Sequence, residues 1–199
     1  MKKLFAILCC LSVCGIMAGK SKIAYDKTSE GVRVVETERT PHVFRMNGTP
    51  TDCSVSLLCL KDIATQEKHY GINIFIFSGT EDDDNRKIEK GSKLLLKLED
   101  GDIITAIATS DASTKVELAT QNIFGVLTNN VVSTVVSYAI PKELLDKIMT
   151  SKVVKVRVET KLGQFDGNVY RNKFSECISD DYILISSVIN NDKTIYDDF

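Results

Sequence analysis

The sequence predicts an α+β domain, mainly antiparallel β-sheet (a curved sheet or a sandwich), with two amphipathic helices in the C-terminal third. Three observations carry this expectation. From Gly31 to Ile140 the apolar residues recur mostly with a period of two, broken by turn sequences. Helical spacing appears only after Pro141 and after Asn172. Hydrophobic residues make up 43% of the 199, enough for one real core rather than a disordered chain. The expected organisation is a signal peptide over 1–19, a flexible lead-in over 20–30 and a single β-rich domain over 31–199.

The elements follow in order. Val32 to Glu36 is a short strand, broken at Thr40-Pro41. Val43 to Met46 is another, closed by Asn47-Gly48-Thr49-Pro50. Cys53, Val55, Leu57 and Cys59 share one strand face. His69 to Phe77 is apolar on nearly both faces, as a central strand would be. Ser92 to Leu98 and Asp102 to Thr109 flank Glu99-Asp100-Gly101, a hairpin signal. Val116 to Leu118 is a short strand and Asn129 to Ile140 a long one, a partner-pairing edge if exposed and an ordinary buried strand otherwise. Pro141 suits the first turn of a helix with Leu144, Leu145, Ile148 and Met149 on one face. Val154, Val156 and Val158 form a strand face, and Leu162-Gly163-Gln164 turns it back toward Phe165 to Tyr170. Asn172 is placed to cap a closing helix whose stripe is Phe174, Cys177, Ile178, Tyr182, Ile185 and Ile189.

The first eighteen residues have the layout of a secretory signal. Lys2 and Lys3 precede an uncharged run from Leu4 to Ala18, and polar sequence returns at Lys20. That run is shorter than the roughly 20 residues a spanning helix needs. Cleavage after Ala18 or Gly19 gives a periplasmic or secreted protein. The alternative is lipid anchoring through Cys14, whose context Leu11-Ser12-Val13-Cys14-Gly15 departs from the lipidation pattern at Val13.

Charge narrows the partners. There are 27 acidic and 25 basic residues, and loss of Lys2 and Lys3 with the leader takes the net of −2 to about −4. A mildly acidic, mixed surface argues against nucleic acid and against a basic lipid-binding surface. The chain has no tryptophan, which weakens a sugar-stacking platform. Three of the six cysteines, Cys9, Cys10 and Cys14, fall in the leader. Cys53 and Cys59 lie six residues apart on one strand, roughly 20 Å, too far to bridge each other. Either could pair with Cys177, but three buried reduced thiols are the expectation.

No motif of catalysis stands out. The run Glu81-Asp82-Asp83-Asp84-Asn85 lacks the turn glycine of a calcium loop and reads as a solvated loop. Asp180-Asp181 and Asp197-Asp198 carry still less weight as sites. His42 and His69, the two histidines, sit in no metal or catalytic motif, and structural or surface roles are expected. Gly91-Ser92-Lys93 lacks the spacing of a phosphate loop. No cofactor, metal or catalytic residue is assigned.

The leader MKKLFAILCCLS and three later blocks resemble small exported proteins of Bacteroides-type bacteria with no assigned activity. The blocks are Lys90 to Ala106, Tyr138 to Ile148 and Val153 to Thr160, with a weaker continuation at Arg171 to Ile178. The resemblance implies export and fold type and supplies no site residues. The functional expectation is an exported, non-catalytic cell-envelope module that binds a protein, a glycan or another envelope component. The alternative is a small periplasmic or secreted hydrolase whose site would gather a histidine with a carboxylate or cysteine.

Overall fold

The computed structural model describes residues 21–47, 52–78, 87–121 and 127–191. The leader with Cys14, the acidic run 81–85 and Asp197-Asp198 lie outside the described residues. The strands are β1 (Ile23–Ser29), β2 (Val32–Thr37), β3 (Thr40–Met46), β4 (Asp52–Asp62), β5 (Lys68–Ser78), β6 (Lys93–Leu98), β7 (Ile103–Ala108), β8 (Ser113–Gln121), β9 (Leu127–Ile140), β10 (Val153–Thr160) and β11 (Gly163–Val169). Helix α1 (Lys142–Thr150) precedes β10, and helix α2 (Lys173–Ile189) follows β11.

The mainly antiparallel α+β class is found, and the curved sheet closes on itself. In the order β4-β3-β11-β10-β6-β7-β9-β5, with β5 returning to β4, eight antiparallel strands form a barrel. Two long strands overrun this ring. One edge of β4 is shared by β2 (Val32 opposite Asp62) and β3 (Arg45 opposite Asp52), split at Glu38-Arg39. One edge of β9 is shared in the same way by β7 and β8. The hairpin β1–β2 and the β8–β9 arm therefore extend the sheet beyond the closed wall. From Val132 to Ile140 strand β9 is paired with β5 on one edge and with β8 or β7 on the other, so that part of the segment considered as a partner-pairing edge is interior, while Asn129 to Val131 pair with β8 alone.

Residues 23–29, expected as part of a flexible lead-in, form β1. Two local features override their polar composition. Glu30 and Gly31 both take positive φ (51° and 78°), the left-handed pair that closes a two-residue hairpin between Ser29 and Val32. Asp26 is buried and accepts from Arg33 Nε at 2.9 Å and Nη2 at 2.8 Å. Arg33 Nη1 reaches on to the carbonyl of Asn191, just past α2, at 2.7 Å. A β2 reading by hydrophobicity turns Val32 and Val34 inward, yet Arg33, Val35 and Thr37 are the buried face. The charge is tolerated there because its donors meet a carboxylate and a carbonyl.

Strands β6 and β7 behave as their alternation predicts, whereas in β10 a register shift between Val153 and Lys155 places Val153, not the expected Val154, in the core with Val156 and Val158. Leu94, Leu96 and Leu98 of β6, Ile104 and Ala106 of β7, and Val156 and Val158 of β10 join one core with Cys53, Val55, Leu57 and Cys59 of β4. Asp100-Gly101 makes the β6–β7 turn, with Gly101 at φ 97°.

Both helices fall where their spacing placed them. Leu145 and Ile148 of α1 are buried, with Leu144 and Met149 partly so. Pro141 stands one residue before the helix rather than within its first turn. Helix α2 packs against β2, β3 and β4, setting Phe174 against Phe44 (centroids 6.3 Å apart) and Tyr182 against Tyr70 (5.7 Å). Asn172 precedes α2 as expected but makes no side-chain capping bond. Its ψ of 16° is far from the extended value that swings a capping side chain over the first amides. The start of α2 is pinned instead by Ser175, whose hydroxyl donates to Ser151 O (2.8 Å) and accepts from Val153 N (3.0 Å).

Candidate functional site

A recess lies where α2 crosses the β2–β3 break. It is a groove of about 790 Å³ between the lead into β1 (Ser21, Lys22), the linker Glu38 to Pro41, Met149 of α1 and the exposed flank of α2. The linker runs there because β2 and β3 share an edge of β4 and must step apart at Glu38-Arg39. Its backbone is tied at both ends: Glu38 N donates to Lys22 O at 2.7 Å, and Lys173 Nζ donates to Pro41 O at 2.6 Å.

The lining is of mixed charge. Lys22, Arg39 and Lys173 line it together with Glu38, Glu176 and Asp180 and with the apolar side chains of Pro41 and Met149. Lys22 and Glu38 form an exposed 4.0 Å pair, a contact that solvent screens heavily. Arg39 lies 5.9 Å from the centre of the Phe75 ring, which holds its guanidinium at the groove's edge. Burial and the neighbouring Glu176 push the Asp180 carboxyl above its ordinary value. Among the described lining residues none carries an aromatic ring.

Cys177 borders this groove, and burial pushes its thiol far up, with the Asp181 charge adding to the shift. Cys53 is raised by the same desolvation, and Cys59 is pushed up to about 11. A thiolate is the reactive form, so all three are inert at neutral pH. They are buried free thiols, as the sequence led us to expect. A thiol-reactive probe at pH 8 should therefore label Cys53, Cys59 and Cys177 only after denaturation, as read by peptide mass mapping. Rapid labelling of Cys177 in the folded protein would contradict this picture.

A second cluster stands just beyond Pro41. The β3–β4 register shifts between Thr40 and Phe44, so β3 carries a bulge. At its centre His42 adopts φ 54°, which turns the side chain back toward β4. His42 Nδ1 donates to Asp52 Oδ2 at 2.9 Å, and Tyr170 Oη donates to Asp52 Oδ1 at 3.0 Å. Burial opposes ionisation of Asp52, but these bonds and the charges of His42 and Arg45 outweigh it and hold the carboxyl below its usual range. An ionised carboxylate only accepts, so Nδ1 is the donor in this bond. The imidazole is 66% exposed and does not line the groove. His69 stands apart, paired with Glu67 at 3.6 Å on the surface.

Behind the groove, Asp181 is fully buried on α2. Its Oδ2 accepts from Thr37 Oγ1 at 2.9 Å, and Thr37 Oγ1 in turn accepts from Leu57 N at 3.0 Å. Asp181 Oδ1 has no hydrogen-bond partner. Burial raises its carboxyl to about 6, against the opposing hydrogen bonds of Ser21 and Thr37. Sequence reading gave the Asp180-Asp181 pair little weight. The signal was present, since Asp181 falls four residues after Cys177 and four before Ile185, on the apolar stripe itself.

Among the described residues no cluster of three or more histidine, cysteine or acidic side chains is placed to hold a metal ion. Among the same residues no helix is long and apolar enough to cross a membrane. Comparisons of the chain with protein-family models, with curated proteins and with solved structures each find no match.

Proposed function

We propose that this chain is an exported, non-catalytic binding module of the cell envelope, and that the groove beside α2 takes an extended segment of a partner protein. The groove itself carries the reading. Its volume of about 790 Å³ falls in the range of ligand sites, and it is bordered by three cations, three carboxylates and the apolar side chains of Pro41 and Met149. Charges of both signs along a cleft suit the alternating donors, acceptors and side chains of a polypeptide. A lining without rings offers a sugar little to stack on. The thiol at its border is buried as the inert form.

The test is a chemical-shift titration of the isotopically labelled protein with mixed-sequence envelope peptides and, separately, with envelope glycans. Peptide binding should perturb Arg39, Glu176 and Asp180, and charge reversal by Glu176→Lys should weaken it about tenfold or more. Perturbations confined to other faces, or a response to glycans alone, would overturn the assignment. Location is tested by the intact mass of the native protein. An unmodified chain starting near Gly19 or Lys20 supports soluble export, whereas an acylated Cys14 means a lipid anchor.

The alternative, a small hydrolase, draws on one observation: Asp52 orients the exposed imidazole of His42, as the partner carboxylate of a general base does. It predicts turnover of an ester or peptide that His42→Ala abolishes while peptide binding in the groove is unchanged.

A further inference from the structure

The outer face of β6, β7 and β10 carries a charge arrangement that the fold does not neutralise. Register places Lys97 directly opposite Lys155 and, on its other side, opposite Ile103. Arg157 lies opposite both Leu95 and Asp166. Lysines facing each other across neighbouring strands have β-carbons about 5 Å apart, and such like-charged pairs work against the sheet. Neither lysine makes an ion pair with a described carboxylate, though after Arg157 the charge of Lys155 also helps to hold the Asp166 carboxyl below its usual range. The one carboxylate within the patch, Asp166, is taken by Arg157 through Nε at 2.5 Å and Nη2 at 3.0 Å.

These residues enclose a shallow cavity of about 200 Å³ between Leu95, Lys97, Ile103, Lys155, Arg157 and Asp166. Three cations against one carboxylate leave a local surplus of two positive charges, on a chain whose net charge is −2. Ile103, 63% exposed, supplies an apolar wall beside them. None of these strands lines the groove beside α2.

We propose that this cavity is a second binding site, for the phosphomonoester group of a small soluble ligand. The dianion sits between the two lysine ammonium groups, which it can bridge, beside Arg157, whose fork is held by Asp166 and whose Nη1 donates to Gln164 Oε1 at 3.3 Å. The match is of charge and size. Two surplus positive charges meet a group carrying close to two negative ones at neutral pH. The cavity admits one tetrahedral oxyanion and a few carbons against Ile103, not a chain.

The test is a titration of the protein with glycerol 3-phosphate at low ionic strength, followed by amide and lysine side-chain resonances. Saturable shifts are expected at Lys97, Lys155 and Arg157. Chloride at matched ionic strength should not reproduce them. Affinity should fall several-fold from pH 7.5 to pH 5.5, because a phosphomonoester loses its second charge near pH 6 while lysine and arginine stay charged. The double variant Lys97→Ala/Lys155→Ala changes exposed positions, so it should fold, and its thermal midpoint should equal or exceed that of the parent. The added ligand should raise the midpoint of the parent and not that of the variant. Equal shifts with chloride, unaltered binding by the variant, or affinity independent of pH would each overturn the proposal. So would retention on phosphatidylglycerol vesicles that excess glycerol 3-phosphate does not displace, which would make the face a membrane surface.

Discussion

Replacing Arg33 by alanine is expected to destabilise the protein by about 3–5 kcal/mol, the cost of leaving a buried partner charge uncompensated. The target is the Asp26–Arg33 pair, with side chains 1% and 3% exposed. Two parallel bonds join guanidinium and carboxylate, and the remaining arm reaches the carbonyl of Asn191. One side chain thus ties β1 to β2 and both to the end of α2. Removing it strands a carboxylate and frees a backbone acceptor at once. Urea unfolding of parent and variant measures the loss through the shift in midpoint at constant slope. Asp26→Asn should also destabilise, by less, because an amide still offers one acceptor. Joint replacement by apolar residues of similar volume (Asp26→Leu with Arg33→Met) should recover most of the loss. A loss below 1 kcal/mol for Arg33→Ala would show that the pair is not a staple.

The second large effect depends on pH. Asp181 moves from an ordinary value of 3.8 to about 6 on folding. Below pH 4 the carboxyl is protonated in both states and contributes no difference. Between pH 4 and 6 the unfolded chain ionises while the folded chain holds its proton, so stability falls as pH rises. Above pH 6 both are ionised and the penalty is constant at roughly 2–3 kcal/mol. Asp181→Asn removes this titration, and its amide oxygen can still accept from Thr37. The difference in unfolding free energy between variant and parent should therefore swing by roughly 2–3 kcal/mol in the variant's favour from pH 3.5 to pH 7. The amide's unpartnered N–H group lowers the whole curve without changing the swing. Parallel stability curves across that range would rule the buried titration out.

The two predictions differ in how far the sequence foresees them. Asp181 was readable in principle, because a helix stripe is a matter of spacing along one segment. Its raised carboxyl was not, because that depends first on burial against strands far away in the chain and then on opposing bonds from groups such as Thr37, more than a hundred residues away. The burial of Arg33 was not legible in its strand, since Val32 and Val34 are the more apolar residues yet Arg33, Val35 and Thr37 face inward. Asp26, in a stretch that reads as a polar lead-in, and the carbonyl of Asn191 make the opposite orientation tolerable. His42 likewise has no visible partner in the sequence. Asp52 reaches it because a bulge in β3 moves the register between Thr40 and Phe44.

The lysine pair on the outer wall makes the same point from the other side. Lys97 and Lys155 each read as the exposed half of an alternating strand, and each is. Their juxtaposition exists only because β6 pairs with β10, strands separated in sequence by three others and a helix.

The sequence by itself determined the antiparallel, β-rich class, the Asp100-Gly101 hairpin, the two helices with their buried stripes and the burial of Cys53, Cys59 and Cys177. These rest on periodicity and turn chemistry, which are local to each segment. Only the tertiary structure decided that the sheet closes into an eight-stranded barrel, that residues 23–29 are a strand, and which charges meet. Closure, register and ion pairing join residues far apart in the chain, and their energy is spent or gained only when distant strands are brought side by side.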